Sequence, residues 1–122
     1  MARNRILLVD DDSLVSMNSA YMLMDLGHSV TEAPSGAHAL RLMETDAQFD
    51  LVITDYAMPG MTGLDLATKI VQIRPKIPVI IATGYAEPPH LTLGFPRLDK
   101  PYTQQQLAQA VKTALIQKQG EK

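Results

Sequence analysis

Short runs of branched apolar residues, each closed by a polar residue and followed by a helical segment, constrain this chain more than any other feature. Ile6-Leu7-Leu8-Val9, Leu51-Val52-Ile53 and Ile77 through Ala82 are compact and carry no regular polar alternation. They read as strands buried on both faces, as in a parallel sheet covered by helices. Ser29 to Ala33 is more polar and suits an edge strand, and Leu98 lies in a fifth, marginal strand before Lys100-Pro101. Between them, residues 13–26 are apolar at Leu14, Met17, Tyr21 and Met22, with Gly27 as the stop. Residues 35–47 place Gly36, Leu40, Met43 and Ala47 on one face, and residues 64–73 end before Pro75. The last helix repeats Leu107, Ala110, Val111, Ala114 and Leu115 at i, i+3, i+4, i+7, i+8. Strands separated by helices imply right-handed crossovers and a three-layer α/β sandwich. Residues 84–97 resist helix formation, because Gly84, Pro88, Pro89, Gly94 and Pro96 leave room for a loop or a vestigial turn.

The 122 residues are 46% hydrophobic and 20% charged, enough for one sizeable core, and 1–122 read as a single domain. A net charge of −2 gives no reason to expect nucleic-acid contact by this chain. The absence of cysteine excludes disulfides, thiolate chemistry and Cys-ligated metals. Only four apolar residues, Ile6 to Val9, precede the first acids, too few for a signal core, and no run approaches a membrane span. A soluble, cytoplasmic module without membrane contact is expected.

In open α/β sheets, ligands bind beyond the carboxyl ends of the strands. Asp10 and Asp11 follow the first strand, Asp55 the third, Thr83 the fourth and Lys100 the fifth. Neighbouring strands would thus aim three carboxylates, a hydroxyl and an ammonium at one small volume. Two carboxylates ~4 Å apart repel by ~4 kcal/mol at an effective dielectric near 20. Three such groups stay ionised together only if a cation joins them. Lys100 offsets one charge, and hard oxygen ligands favour Mg²⁺, or Mn²⁺, for the rest.

The order Val9-Asp10-Asp11, then Asp55 with Met58-Pro59-Gly60 and Gly63 behind it, then Thr83, then Lys100-Pro101, resembles the receiver domain of two-component response regulators. The resemblance covers essentially the whole chain. Each element is common alone; the five in this order at strand ends are specific. It implies a flavodoxin-like, doubly wound fold with five parallel strands in the order 2-1-3-4-5 and a fourth helix that is short or absent. It implies that Asp55 accepts a phosphoryl group from a histidine kinase or histidine phosphotransfer domain, as a carboxylate nucleophile. By the same resemblance Asp11 is a direct metal ligand, Asp10 holds the metal through water, and the backbone carbonyl of Ala57 is a further ligand. Lys100 pairs with Asp55 and then with a phosphoryl oxygen, Thr83 moves in to hydrogen-bond the phosphoryl group, and the Lys100-Pro101 bond is cis.

Two departures qualify the likeness. Many receivers carry an aromatic three residues before the lysine, and this chain has Arg97, with Phe95 and Tyr102 the nearby aromatics that could substitute. The interval from Thr83 to Lys100 is short and proline-rich, which looks like receivers attached to hybrid histidine kinases and makes dimerisation through a fourth helix less expected. A monomer or weak dimer follows. Ala57 and Tyr85 stand where family residues govern access of hydrolytic water, and a bulky Tyr85 is expected to slow loss of phosphate.

Blander readings take the remaining residues. Asp12 and Ser13 suit a helix N-terminus. Met58-Pro59-Gly60-Met61 reads as a shaped loop with its methionines over the core. Met17, Met22 and Met24 read as helix packing, and Gln104, Gln105 and Gln106 as a solvated face. His28, His38 and His90 share no ligand spacing. Competing functions are a binding module that is never phosphorylated and an aspartate-nucleophile phosphatase. The complete acid set argues against the first. The second wants an acid two residues after the nucleophile, where this chain has Ala57, and neither nucleotide-binding glycine motif is present.

Overall fold

The computed structural model describes residues 3–45, 48–84, 92 and 94–120. Five strands, β1 (Arg5–Val9), β2 (Ser29–Ala33), β3 (Leu51–Asp55), β4 (Val79–Gly84) and β5 (Arg97–Lys100), form one sheet in the order β2-β1-β3-β4-β5. Every pairing is parallel. Four helices, α1 (Ser13–Asp25), α2 (Gly36–Thr45), α3 (Gly63–Ile73) and α4 (Gln104–Gly120), occur among the described residues. This is the flavodoxin-like architecture expected, with β2 and β5 at the edges. No helix of the described residues is long and apolar enough to cross a membrane.

The alternation of side chains along each strand sorts the core into two layers. Leu7, Val9, Val52, Val79 and Ile81 meet Ala39 and Met43 of α2 and Leu66, Ala67 and Ile70 of α3. Ile6, Leu8, Leu51, Ile53, Ile80 and Leu98 meet Ala20 and Leu23 of α1 and Leu107, Val111 and Ala114 of α4. A strand whose odd and even residues are both covered needs no polar alternation, which is why these runs are apolar throughout.

Local chemistry sets the element ends. Asp12 caps α1 by accepting from the Leu14 and Val15 amides, and Gly27 beyond it takes a positive φ of 98°. Thr62 and Asp65 form a reciprocal capping box at the start of α3. The fourth strand starts two residues later than the apolar run, because Ile77 closes a turn onto Arg74 and Pro78 precedes the paired segment. It also runs further, so that Thr83 pairs with Asp99 and Gly84 with Lys100 inside the sheet rather than beyond it.

The packing of α1 corrects the apolar face read from the sequence. Leu14, Met17, Tyr21 and Met24 are exposed, and the buried residues are Ser16, Ser19, Ala20 and Leu23. The helix is apolar around most of its girth, so its periodicity does not decide which side packs. The small residues decide it: they let α1 approach the sheet closely, and their hydroxyls find partners, Ser16 donating to Glu32 at 2.7 Å and Ser19 bonded to Tyr102 at 2.7 Å. Gln104 likewise is not merely solvated, since its amide reaches the Met22 carbonyl and the Asp25 carboxylate. The segment expected to lack a full helix falls mainly on residues 85–91 and 93, which with Tyr85 and His90 lie outside the described residues, as does Ala47.

Candidate functional site

The carboxyl ends of β1, β3 and β5 bring the site together. Asp10 follows β1 directly, is nearly buried, and accepts from the Asp12 amide at 2.9 Å while its own amide donates to Ala33 at 3.1 Å. Asp11 is exposed beside it. Asp55 ends β3, whose register against β1 and β4 carries it level with Ala82. Carboxylate oxygens of Asp10, Asp11 and Asp55 lie within 4.8 Å of one another. The Lys100 ammonium reaches in from the end of β5, 2.8 Å from Asp55 and 3.4 Å from Asp10. The Lys100-Pro101 bond is cis, as the resemblance implied.

The charges are unbalanced. Three carboxylates face one ammonium, leaving a surplus of negative charge in a partly dry pocket. Burial pushes the Asp55 carboxyl above its ordinary range, with Asp10 and Asp11 adding to the push and Lys100 opposing it. For Lys100 burial favours the neutral amine, but the hydrogen bond and charge of Asp55, together with Asp10, outweigh it and raise its affinity for a proton. The raised Asp55 disfavours the ion pair and the raised Lys100 favours it. With Lys100 2.8 Å away at neutral pH, the ionised pair is the arrangement that satisfies both groups. Three oxygen donors this close suit a hard divalent ion, which would supply the missing positive charge.

The backbone behind Asp55 is fixed from both sides. Tyr56 donates to Ala82 at 2.8 Å, and Gly63 donates to the Tyr56 carbonyl at 2.8 Å. A Cβ on Gly63 would stand 2.9 Å from Tyr56 Cα, so glycine is required for this approach. Met58 is buried over the α2–α3 layer and Met61 packs against it, while Gly60 turns the chain at a φ of 82°. Ala57 lies exposed between Asp55 and this turn.

Thr83 is fully buried near the end of β4, and its hydroxyl faces Asp99 of β5 at 3.5 Å. Of the aromatics near Lys100, Phe95 packs against the α2–α3 layer and Tyr102 against the α1–α4 layer. Tyr102 is tethered to Ser19, and burial raises its phenol above the usual range while that hydrogen bond opposes the rise. Sequence reasoning did not find the Ser19–Tyr102 and Arg97–Asp99 pairs, because each joins residues whose proximity depends on the fold or strand direction. His28 and His38 are half-buried and far in sequence from the acids, with burial pushing His28 below its usual range.

Comparison with known proteins agrees with this fold. The response regulator receiver domain pattern matches residues 6–112. The chain belongs to the response regulator receiver family. This receiver is 37% identical over 118 residues to the sensor kinase CckA of Brucella abortus, covering 90% of this chain and 12% of that protein. It is 38% identical over 86 residues to the chemotaxis protein CheY of Pseudomonas aeruginosa, covering 68% of each. A CheY-like receiver domain protein from Methanospirillum hungatei superposes with a TM-score of 0.89 at 28% identity, covering 99% of this chain and 100% of that one. The transcriptional regulator GlrR of Escherichia coli is matched over 26% of its length, so the receiver spans only a small part of several larger relatives.

Proposed function

We propose that residues 1–122 form one phospho-accepting module of two-component signalling, in which Asp55 takes a phosphoryl group from a phosphohistidine on a histidine kinase or phosphotransfer domain. The observation that carries the reading is the Lys100 ammonium 2.8 Å from Asp55 with Asp10 and Asp11 oxygens alongside. An Asp55 carboxylate oxygen forms the new bond to phosphorus as the phosphorus–nitrogen bond of the donor breaks, and the departing imidazole takes up a proton. Such transfer needs in-line positioning and charge neutralisation more than covalent chemistry. Asp10, Asp11, Asp55 and the Ala57 carbonyl would hold Mg²⁺, or Mn²⁺, which when bound neutralises phosphoryl charge. Lys100 holds the Asp55 carboxylate in place and afterwards a phosphoryl oxygen. Thr83 donates its hydroxyl to the same group, and the shift between its two acceptors is the conformational output.

The donor side has support beside the acids. Exposed Leu14 of α1 borders an apolar hollow of about 780 Å³ lined also by Val15, Asn18, Met22, Pro101 and Tyr102, with Lys100 at its edge. A helix presenting phosphohistidine could rest there. The likeness to a sensor kinase over 12% of its length supports a receiver from a hybrid kinase; action in the cytoplasm, as a monomer or weak dimer with no separate turnover substrate, is part of the same proposal. The test is incubation with a phosphohistidine donor and Mg²⁺ followed by mapping of the modified residue. A mass gain at Asp55 that Asp55→Asn abolishes is expected. A folded protein that stays unmodified there, and binds a partner unchanged by Asp55→Asn, would make it a docking module instead.

A further inference from the structure

Arg97, Asp99 and Thr83 form a polar chain across the last two rungs of the β4–β5 ladder. Thr83 pairs in register with Asp99. Asp99 Oδ1 accepts from Arg97 Nε at 2.7 Å and faces the Thr83 hydroxyl at 3.5 Å. The guanidinium also reaches the carbonyl of Gly84, the residue after Thr83, at 3.3 Å. Strand alternation places Arg97 and Asp99 on one side of β5, and Leu98, packed among α1 and α4 residues, on the other.

A threonine hydroxyl has one proton to donate. Thr83 is fully buried, so water does not compete for that proton and its acceptor must come from the protein or from a ligand. The nearest acceptor across the ladder is a carboxylate oxygen held closely by Arg97, at 3.5 Å from the hydroxyl, longer than an ordinary O–H···O hydrogen bond. We infer that Asp99 competes with the phosphoryl group for the Thr83 hydroxyl, and that Arg97, by occupying Asp99, sets how easily Thr83 is released. This rests on the proposed role of Asp55 and goes beyond it by assigning regulation of the site to an ion pair. Arg97 would then govern Thr83 by charge, at the place where an aromatic side chain would act by bulk.

The two partners act with opposite signs. Removing Asp99 frees Thr83, whereas removing Arg97 leaves the Asp99 carboxylate less satisfied and binds Thr83 more tightly. The experiment titrates the full chain and its variants with beryllofluoride in excess Mg²⁺, following amide resonances around Asp55. The apparent Kd is expected to fall about two- to fivefold in Asp99→Ala, the range spanned by an exposed charge pair, less in Asp99→Asn, and to rise in Arg97→Ala. In a Thr83→Ala background, Asp99→Ala is expected to change nothing. The Asp99 side chain is 62% exposed, so its removal costs the fold little. Shifts of the same sign in Asp99→Ala and Arg97→Ala, or an Asp99→Ala effect that persists without Thr83, would overturn the inference while leaving the Asp55 reading intact. A folded wild type that takes up no beryllofluoride would overturn both.

Discussion

Replacing Asp55 with Asn in metal-free buffer is expected to stabilise the fold. Oxygens of Asp55 and Asp10 lie within 4.8 Å, a repulsion of about 3 to 4 kcal/mol at an effective dielectric near 20. Asp11 adds to it, screened by its exposure. Lys100, at 2.8 Å from Asp55, returns about 6 kcal/mol on the same footing. The charge terms nearly cancel, so the cost of burying the carboxylate stands uncompensated, and burial is the first cause of the raised Asp55 titration. Asparagine keeps the shape without the charge, and a gain of about 1 to 2 kcal/mol at neutral pH follows. Because the folded-state value is raised, the carboxyl's contribution to stability is full below its unfolded pKa and is lost as pH rises through the folded one. The advantage of Asp55→Asn is therefore largest at neutral pH and shrinks as pH falls through the carboxylate range. Magnesium narrows the gap: a site at ten times its Kd gains about 1.4 kcal/mol, and the variant, one ligand short, gains less. Urea unfolding followed by circular dichroism, with and without Mg²⁺ at two pH values, measures all of this. A variant less stable than wild type without metal, or gaining equally from Mg²⁺, would refute the electrostatic reasoning.

Gly63→Ala is expected to cost about 1 to 3 kcal/mol through overpacking against the Asp55–Tyr56 backbone, and to shift the Asp55 amide resonance; an unshifted Asp55 would show that the contact is not felt. Tyr102→Phe should cost about 1 kcal/mol, since it strands the buried Ser19 hydroxyl, and thermal unfolding reads the loss. Leu23→Ala should cost about 2 to 5 kcal/mol and Leu14→Ala well under 1; similar values would put the wrong face of α1 inward.

The β2 edge strand and the α4 stripe were legible because each depends on local polarity or a simple periodicity, whereas the sheet order came with the family resemblance. Asp10, Asp11, Asp55 and Lys100 meet where the strand ends predict. The α1 face was not legible, because hydroxyls that look solvent-seeking in a sequence are buried by partners on other elements, Glu32 for Ser16 and Tyr102 for Ser19. The contact of Thr83 with Asp99 was not legible, because it depends on the one-to-one register of β4 against β5. Arg97 stood out as a departure from the family pattern, and its contacts with Asp99 and the Gly84 carbonyl appear once β4 and β5 are paired.

Convergence of acids from β1 and β3 on a single ion is measured most directly by titrating isotopically labelled protein with sub-stoichiometric Mn²⁺. Paramagnetic broadening should strike the amides of Asp10, Asp11, Asp55 and Ala57 together, saturate at one ion per chain, be reversed by excess Mg²⁺, and weaken sharply in Asp11→Asn. Broadening that spreads over scattered surface acids, or that affects the β1 and β3 ends at different Mn²⁺ concentrations, would contradict the account.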